Sequence, residues 1–144
     1  MWICPTCGRS FRNANQSHSC KLIHKEELFA KRSPELREIY KKIISVVSTL
    51  GEFKEETIPP DTIFFKTYST FLAVKIKRNH LDIEFFLDHL ENIPPVSKYL
   101  QTSTHRFVHY VPVDSPADID AKLIGWIRES YHLILTKKSN KEIT

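Results

Sequence analysis

Apolar side chains recur at three- and four-residue steps from Leu36 to Leu50, a spacing that predicts an amphipathic helix. Leu36, Ile39, Tyr40, Ile43, Ile44, Val47 and Leu50 share one face of it. Ser33-Pro34-Glu35 supplies its start: an N-cap, a proline at the first helical position, and an acid at the positive dipole end. Gly51 is expected to end it. Beyond Phe53 the period changes to two. Strands are predicted over 53–58 and 62–66 around the turn Pro59-Pro60-Asp61, and over 71–77 and 81–87 around Arg78-Asn79-His80. Leu81, Ile83, Phe85 and Leu87 alternate with Asp82, Glu84, Phe86 and Asp88, the pattern of a strand with one wet face. Pro94-Pro95 breaks the chain again, and further strands are expected over 99–102 and 105–113. Ser115-Pro116-Ala117-Asp118 has the form of a capping box and opens a closing helix carrying Leu123, Ile124, Ile127, Tyr131 and Ile134. Short connections between strands leave no room for crossover helices. The fold class is therefore α+β, an antiparallel sheet flanked by two helices.

The first 24 residues follow neither period and carry other chemistry. Cys4 and Cys7 stand two residues apart around Pro5 and ahead of Gly8, a turn that can hold one edge of a tetrahedral zinc site. Proline presets one backbone angle there, and glycine accepts the positive φ such turns need. The second pair comes from His18, Cys20 and His24. Cys4, Cys7, Cys20 and His24 have the spacing of a ββα finger with one histidine replaced, and Phe11 sits where such fingers place an aromatic. Cys4, Cys7, His18 and Cys20 make a shorter knuckle. Asn13-Ala14-Asn15-Gln16 is a weak helix former, which favours the knuckle and His18. Four protein ligands leave no open position, so the one Zn²⁺ ion is expected to be structural. Trp2, Ile3 and Phe11 are the candidate apolar patch beside it. The domain plan is thus a zinc finger at 1–24, a basic linker at 25–33 with room for one helical turn from Glu26 to Ala30, an α+β domain at 34–137 and a tail at 138–144.

Charge sharpens this division. The net +4 lies within residues 1–33, which carry six basic and two acidic side chains, while the rest is balanced. Any attraction for a polyanion such as nucleic acid is expected at Arg9, Arg12, Lys21 and Lys25. Three cysteines crowded into the first 20 residues suit zinc thiolates in a reducing compartment, so a cytoplasmic location is expected. No apolar run approaches the roughly 18–20 residues that span a bilayer, and Met1-Trp2-Ile3-Cys4 shows no secretory signal.

Trp2, Cys4, Pro5, Cys7, Gly8, Phe11, Asn15-Gln16, His18 and Cys20 resemble the start of an uncharacterised prokaryotic family. In that family a CPxCG…QxHxC zinc finger precedes a domain of unknown function. Arg106-Phe107-Val108-His109 and Asp118-Ile119-Asp120 through Trp126 resemble its closing strand and helix. The resemblance supports His18 and Cys20 as ligands and implies no activity. A weaker likeness, of architecture alone, is to frataxin-like folds. Their acidic first helix is not matched by Glu35 and Glu38 set against Arg37, Lys41 and Lys42.

Enzyme signatures are sparse. The chain has three glycines and neither a phosphate-cradling glycine loop nor a G-x-S-x-G or H-E-x-x-H motif. The expected function is a zinc-binding, non-enzymatic interaction module that contacts nucleic acid or a protein partner. The alternative is a ligand-binding protein or enzyme built on the open sheet face. There Lys75, Lys77, Asp82, Glu84, His105 and His109 would gather in a polar cluster.

Overall fold

In the computed structural model the backbone is described for residues 1–5, 8, 10–16 and 25–143, and side chains for the same residues except 25, 26 and 136–143. The chain opens with a hairpin of β1 (Trp2–Ile3) and β2 (Ser10–Phe11), followed by helix α1 (Lys25–Phe29). Helix α2 (Pro34–Ser48) leads into six strands: β3 (Lys54–Ile58), β4 (Thr62–Lys66), β5 (Thr70–Ile76), β6 (Leu81–Leu87), β7 (Lys98–Ser103) and β8 (Arg106–Val113). A short 3-10 turn at Pro116–Asp118 precedes helix α3 (Ala121–Ile143). This is the α+β arrangement that the change of period foretells.

The six strands form one antiparallel sheet in the order β3-β4-β5-β6-β8-β7. β8 returns between β6 and β7, so β3 and β7 are the two edges. Leu81, Ile83, Phe85 and Leu87 are fully buried and the residues between them half-buried, as their alternation demands. Their face is covered by α2 and α3, whose buried residues include Leu36, Ile39, Ile43 and Val47 from one helix and Leu123, Trp126, Ile127 and Ile134 from the other. The opposite face of the sheet has no helix over it among the described residues.

Four local readings change. The stretch 25–33, expected as a linker, belongs to the domain: Leu28 and Phe29 are buried in the core, Phe29 packs on Tyr40, and Arg32 Nε donates to the Lys77 carbonyl. The helical turn expected at 26–30 is present as α1, but two adjacent apolar residues show no period, so the pattern does not reveal that it packs into the core. The capping box at Ser115 and Asp118 forms, but it opens the 3-10 turn; α3 starts only at Ala121, where the Asp120 carboxylate accepts the Leu123 N–H. Gly51 is not the residue closing α2. Thr49 takes that place, with its N–H and hydroxyl both turned back to the Val46 carbonyl. Gly51 has φ +146°, and a Cβ there would run into the Tyr131 hydroxyl, which itself donates to the Glu52 carbonyl. Finally, α3 continues to Ile143, into the stretch read as a tail.

One buried hydroxyl ties α3 to the sheet. Ser130 Oγ donates to the Phe71 carbonyl and accepts the Phe86 N–H, bridging β5 and β6 just beyond the last pair of their ladder. Both backbone groups would otherwise be buried and unpaired.

Candidate functional site

The Cys4–Gly8 turn sits at the tip of the β1–β2 hairpin. Trp2 pairs with Phe11 and Ile3 with Ser10, which brings the Trp2 and Phe11 rings to 5.9 Å. The chain reverses between them through a bond from the Gly8 N–H to the Cys4 carbonyl at 2.8 Å, with Gly8 at φ +74°. Any other L residue would be strained at that angle, so the glycine after the second cysteine has a conformational cause. Cys4 is buried, at 4% exposure, although the hairpin around it offers little cover. A turn that closes over a cysteine in this way fits a thiolate ligand held from a tight knuckle. Cys7, His18, Cys20 and the competing His24 lie outside the described residues. Among the described residues no three His, Cys, Asp or Glu side chains come together to hold a metal ion.

Of the basic residues, Arg12 is exposed just after β2, and Lys25 begins α1. Arg9 and Lys21 lie outside the described residues. The hairpin stands beside the domain across a cleft of about 800 Å³, lined by Met1 and Ser10 on one side and by Phe53, Lys54, Lys66 and Tyr131 on the other.

The sheet-face cluster does not assemble as expected. Phe85 pairs with His109 across β6 and β8, so His109 lies on the helix-covered face and not beside Glu84. It is fully buried, stacked on Phe85 at 5.1 Å, with Trp126 on another contact of the same ring. Its Nε2 accepts the Glu91 N–H at 3.0 Å, which leaves the proton on Nδ1. Burial pushes this imidazole below its usual pKa, against the opposing pull of the Phe107 carbonyl. Alternation alone had left open which face of β8 meets the helices; there the ring packs in the core with an apolar contact and one amide partner, and its Nδ1 is buried without a hydrogen-bond partner among the described residues.

Lys75, Asp82 and Glu84 do share the open face, where Lys75 pairs with Asp82 and Glu84 with Tyr110. Half-burial raises the Glu84 carboxyl, with Lys75 pulling the other way, and burial then Glu84 raises Tyr110. Lys98 stands 4.6 Å over the Tyr110 ring. His105 lies in the β7–β8 turn, away from this group. What remains is a mixed face on which Phe64, Phe86, Val108 and Tyr110 alternate with ions, reached at its edge by His80, whose Nε2 lies 3.1 Å from Asp82.

A second histidine, not singled out by the sequence, gathers carboxylates. His89 Nδ1 lies 2.7 Å from Asp88, and its Nε2 lies 3.2 Å from Glu91 and 3.9 Å from Glu129 on α3. The Asp88 hydrogen bond raises His89 and is lowered by it in turn. Asp88-His89-Leu90-Glu91, three ionisable groups directly after a strand, was the available signal. Acidic groups also surround a cavity of about 380 Å³ beside His80, but Asp118 and Asp120 are committed there to the Ser115 and Leu123 amides.

No curated protein and no solved structure matches the chain. Residues 25–134 match the family model described as "Domain of unknown function (DUF5655)", a span that starts at α1, takes in the whole sheet, and leaves out the hairpin. No helix among the described residues is long and apolar enough to cross a membrane. The chain belongs to the DUF5655 family of domains of unknown function.

Proposed function

We propose that the protein is a zinc-binding interaction module with no catalytic role, in which one structural Zn²⁺ held by Cys4, Cys7, His18 and Cys20 rigidifies the amino-terminal hairpin. The Cys4–Gly8 turn carries this reading: a 2.8 Å amide–carbonyl bond, a left-handed glycine, and a cysteine shielded by a segment with almost no core of its own. Thiolate ligation in a reducing compartment such as the cytoplasm is consistent with that chemistry. The positive excess of residues 1–33 directs the hairpin toward a polyanion, with Arg9, Arg12, Lys21 and Lys25 as phosphate contacts for nucleic acid. Metal analysis of the purified chain tests the first part. One zinc per chain, lost in Cys4→Ser, is the expected result; no stoichiometric metal would remove the proposal. Anisotropy titrations with single- and double-stranded oligonucleotides test the second. Affinity should fall steeply with added salt, and absence of binding at 20 mM salt would leave a module that engages protein partners only.

A further inference from the structure

The two edges of the sheet are built differently. β3 presents Lys54, Glu55 and Glu56, charges that discourage strand addition, and Glu55 accepts a hydrogen bond from the Tyr40 hydroxyl. β7 has a single charge, Lys98, and all six of its residues are exposed. Its backbone is hydrogen-bonded in the ladder to β8 alone, which leaves the outer row of donors and acceptors free to pair with another strand. Tyr99 is 45% exposed on one face and Leu100 55% on the other, and Leu90 and Ile93 of the preceding loop are also open to solvent. Four of the exposed large apolar side chains among the described residues therefore lie within eleven consecutive positions.

We propose that β7 is a homodimer interface, pairing antiparallel with β7 of a second copy about a two-fold axis at Leu100. Opposed residues in a sheet must lie on the same face, so the register has to be centred on a residue. Centring it on Leu100 sets that leucine against its own copy. Phe86, Val108 and Leu100 already form one cross-strand row on the open face, so the second copy continues it as Leu100, Val108 and Phe86. On the other face Tyr99 lies against Gln101 of the other copy. Lys98 falls opposite Thr102, which holds the two lysines at opposite ends of the ladder instead of side by side. Parallel pairing would place them together. The bulge after Gln101 limits the ladder to about five residues, so the dimer is one of modest affinity. Pairing β7 with the other edge instead would be a head-to-tail contact with no closure, and the charges of β3 oppose it.

Sedimentation velocity on the full chain over a range from 1 to about 300 µM should show a monomer–dimer equilibrium. Leu100→Lys should weaken association at least tenfold while its circular dichroism and melting temperature stay those of the parent. Directly opposed Cα atoms in an antiparallel pair are about 4.5–5.5 Å apart, within disulfide reach. Leu100→Cys should therefore cross-link to itself under mild oxidation, faster than Arg78→Cys at the exposed β5–β6 tip and faster than the parent chain. A chain monomeric throughout the range, a dimer untouched by Leu100→Lys, or equal cross-linking at positions 78 and 100 would each overturn the proposal.

Discussion

Between Trp2 and Phe11 the one buried residue among those described is Cys4, whereas in β6 every second side chain is closed to solvent. The two regions meet the cost of ordering a chain by different means. Strands β4, β5, β6 and β8 set apolar side chains into the space under α2 and α3, and Phe85 alone stacks on both His109 and Trp126. The described part of the hairpin offers an aromatic pair, Trp2 and Phe11, and an amide bond across its turn. Area buried can hold the first region; the second has little of it, and the zinc ion proposed above would supply the missing cross-link.

The largest expected effect breaks that comparison at the hairpin. Zinc in finger peptides contributes on the order of 10 kcal/mol to folding, far above what one ring contact supplies. Chelation or Cys4→Ser should therefore unfold residues 1–24 and leave the domain standing. In a Trp126→Phe background, Trp2 fluorescence reports the hairpin alone. Its emission should shift to the red on chelation, while the main melting transition moves by less than roughly 4 °C. A main transition that collapses together with the Trp2 signal would mean that the hairpin is a staple for the domain, and the two regions would be one folding unit.

Next in size is Phe85→Ala, which removes the central ring of the His109–Phe85–Trp126 contacts. Truncation of a fully buried phenylalanine costs about 3–5 kcal/mol. Urea unfolding should show that loss as a lower midpoint, with zinc stoichiometry unchanged. Ser130→Ala should cost less, about 1–3 kcal/mol, because it leaves the Phe71 carbonyl and the Phe86 amide buried without their partner. A small loss in the alanine variant, below about 0.5 kcal/mol, would show that β5 and β6 can close on each other without the hydroxyl.

Much of the domain was legible because its side chains answer to period. The alternation in 81–87 names the buried residues of β6 correctly, and Leu36 through Val47 name the buried stripe of α2. Period is silent on three things that mattered here. It does not say which face of β8 meets the helices, so His109 was grouped with Glu84 when cross-strand pairing puts it on Phe85. It does not show that a single turn such as Leu28-Phe29 packs into the core. Nor does it say why a glycine is a glycine: Gly51 answers to the close approach of Tyr131, some 80 positions away, and not to the helix beside it. Of the candidate metal site, the turn chemistry of Cys4 to Gly8 was readable from Pro5 and Gly8, since both act through their own backbone. The choice between His18 and His24 depends on the path of the chain after Gln16, which local preference cannot fix.

The smallest effect separates two histidines at the same end of the sheet. His109 is buried neutral, with His89 and Glu91 facing it from the β6–β7 connection, and its pKa lies below the usual 6.5. The unfolded chain therefore takes up a proton at this site before the folded one does. Its contribution is present above about pH 6.5 and is lost as the pH falls below that value. His89 is raised, by Asp88 first and then by Glu91 and Glu129. Its contribution is present below the usual value and is lost as the pH rises through the raised one. Because one contribution is lost below about pH 6.5 and the other above it, the parent chain should show a stability maximum near that pH. His89→Gln should remove the loss above pH 6.5 and leave that of His109, a melting temperature that falls from pH 6.5 toward 5. His109→Phe keeps the stacking but leaves the Glu91 N–H without its acceptor, so it lowers stability at every pH and leaves the loss above pH 6.5 that belongs to His89. If both variants slope the same way, the histidines do not differ in protonation as their surroundings require, and the buried ring exchanges protons with solvent as freely as the exposed one.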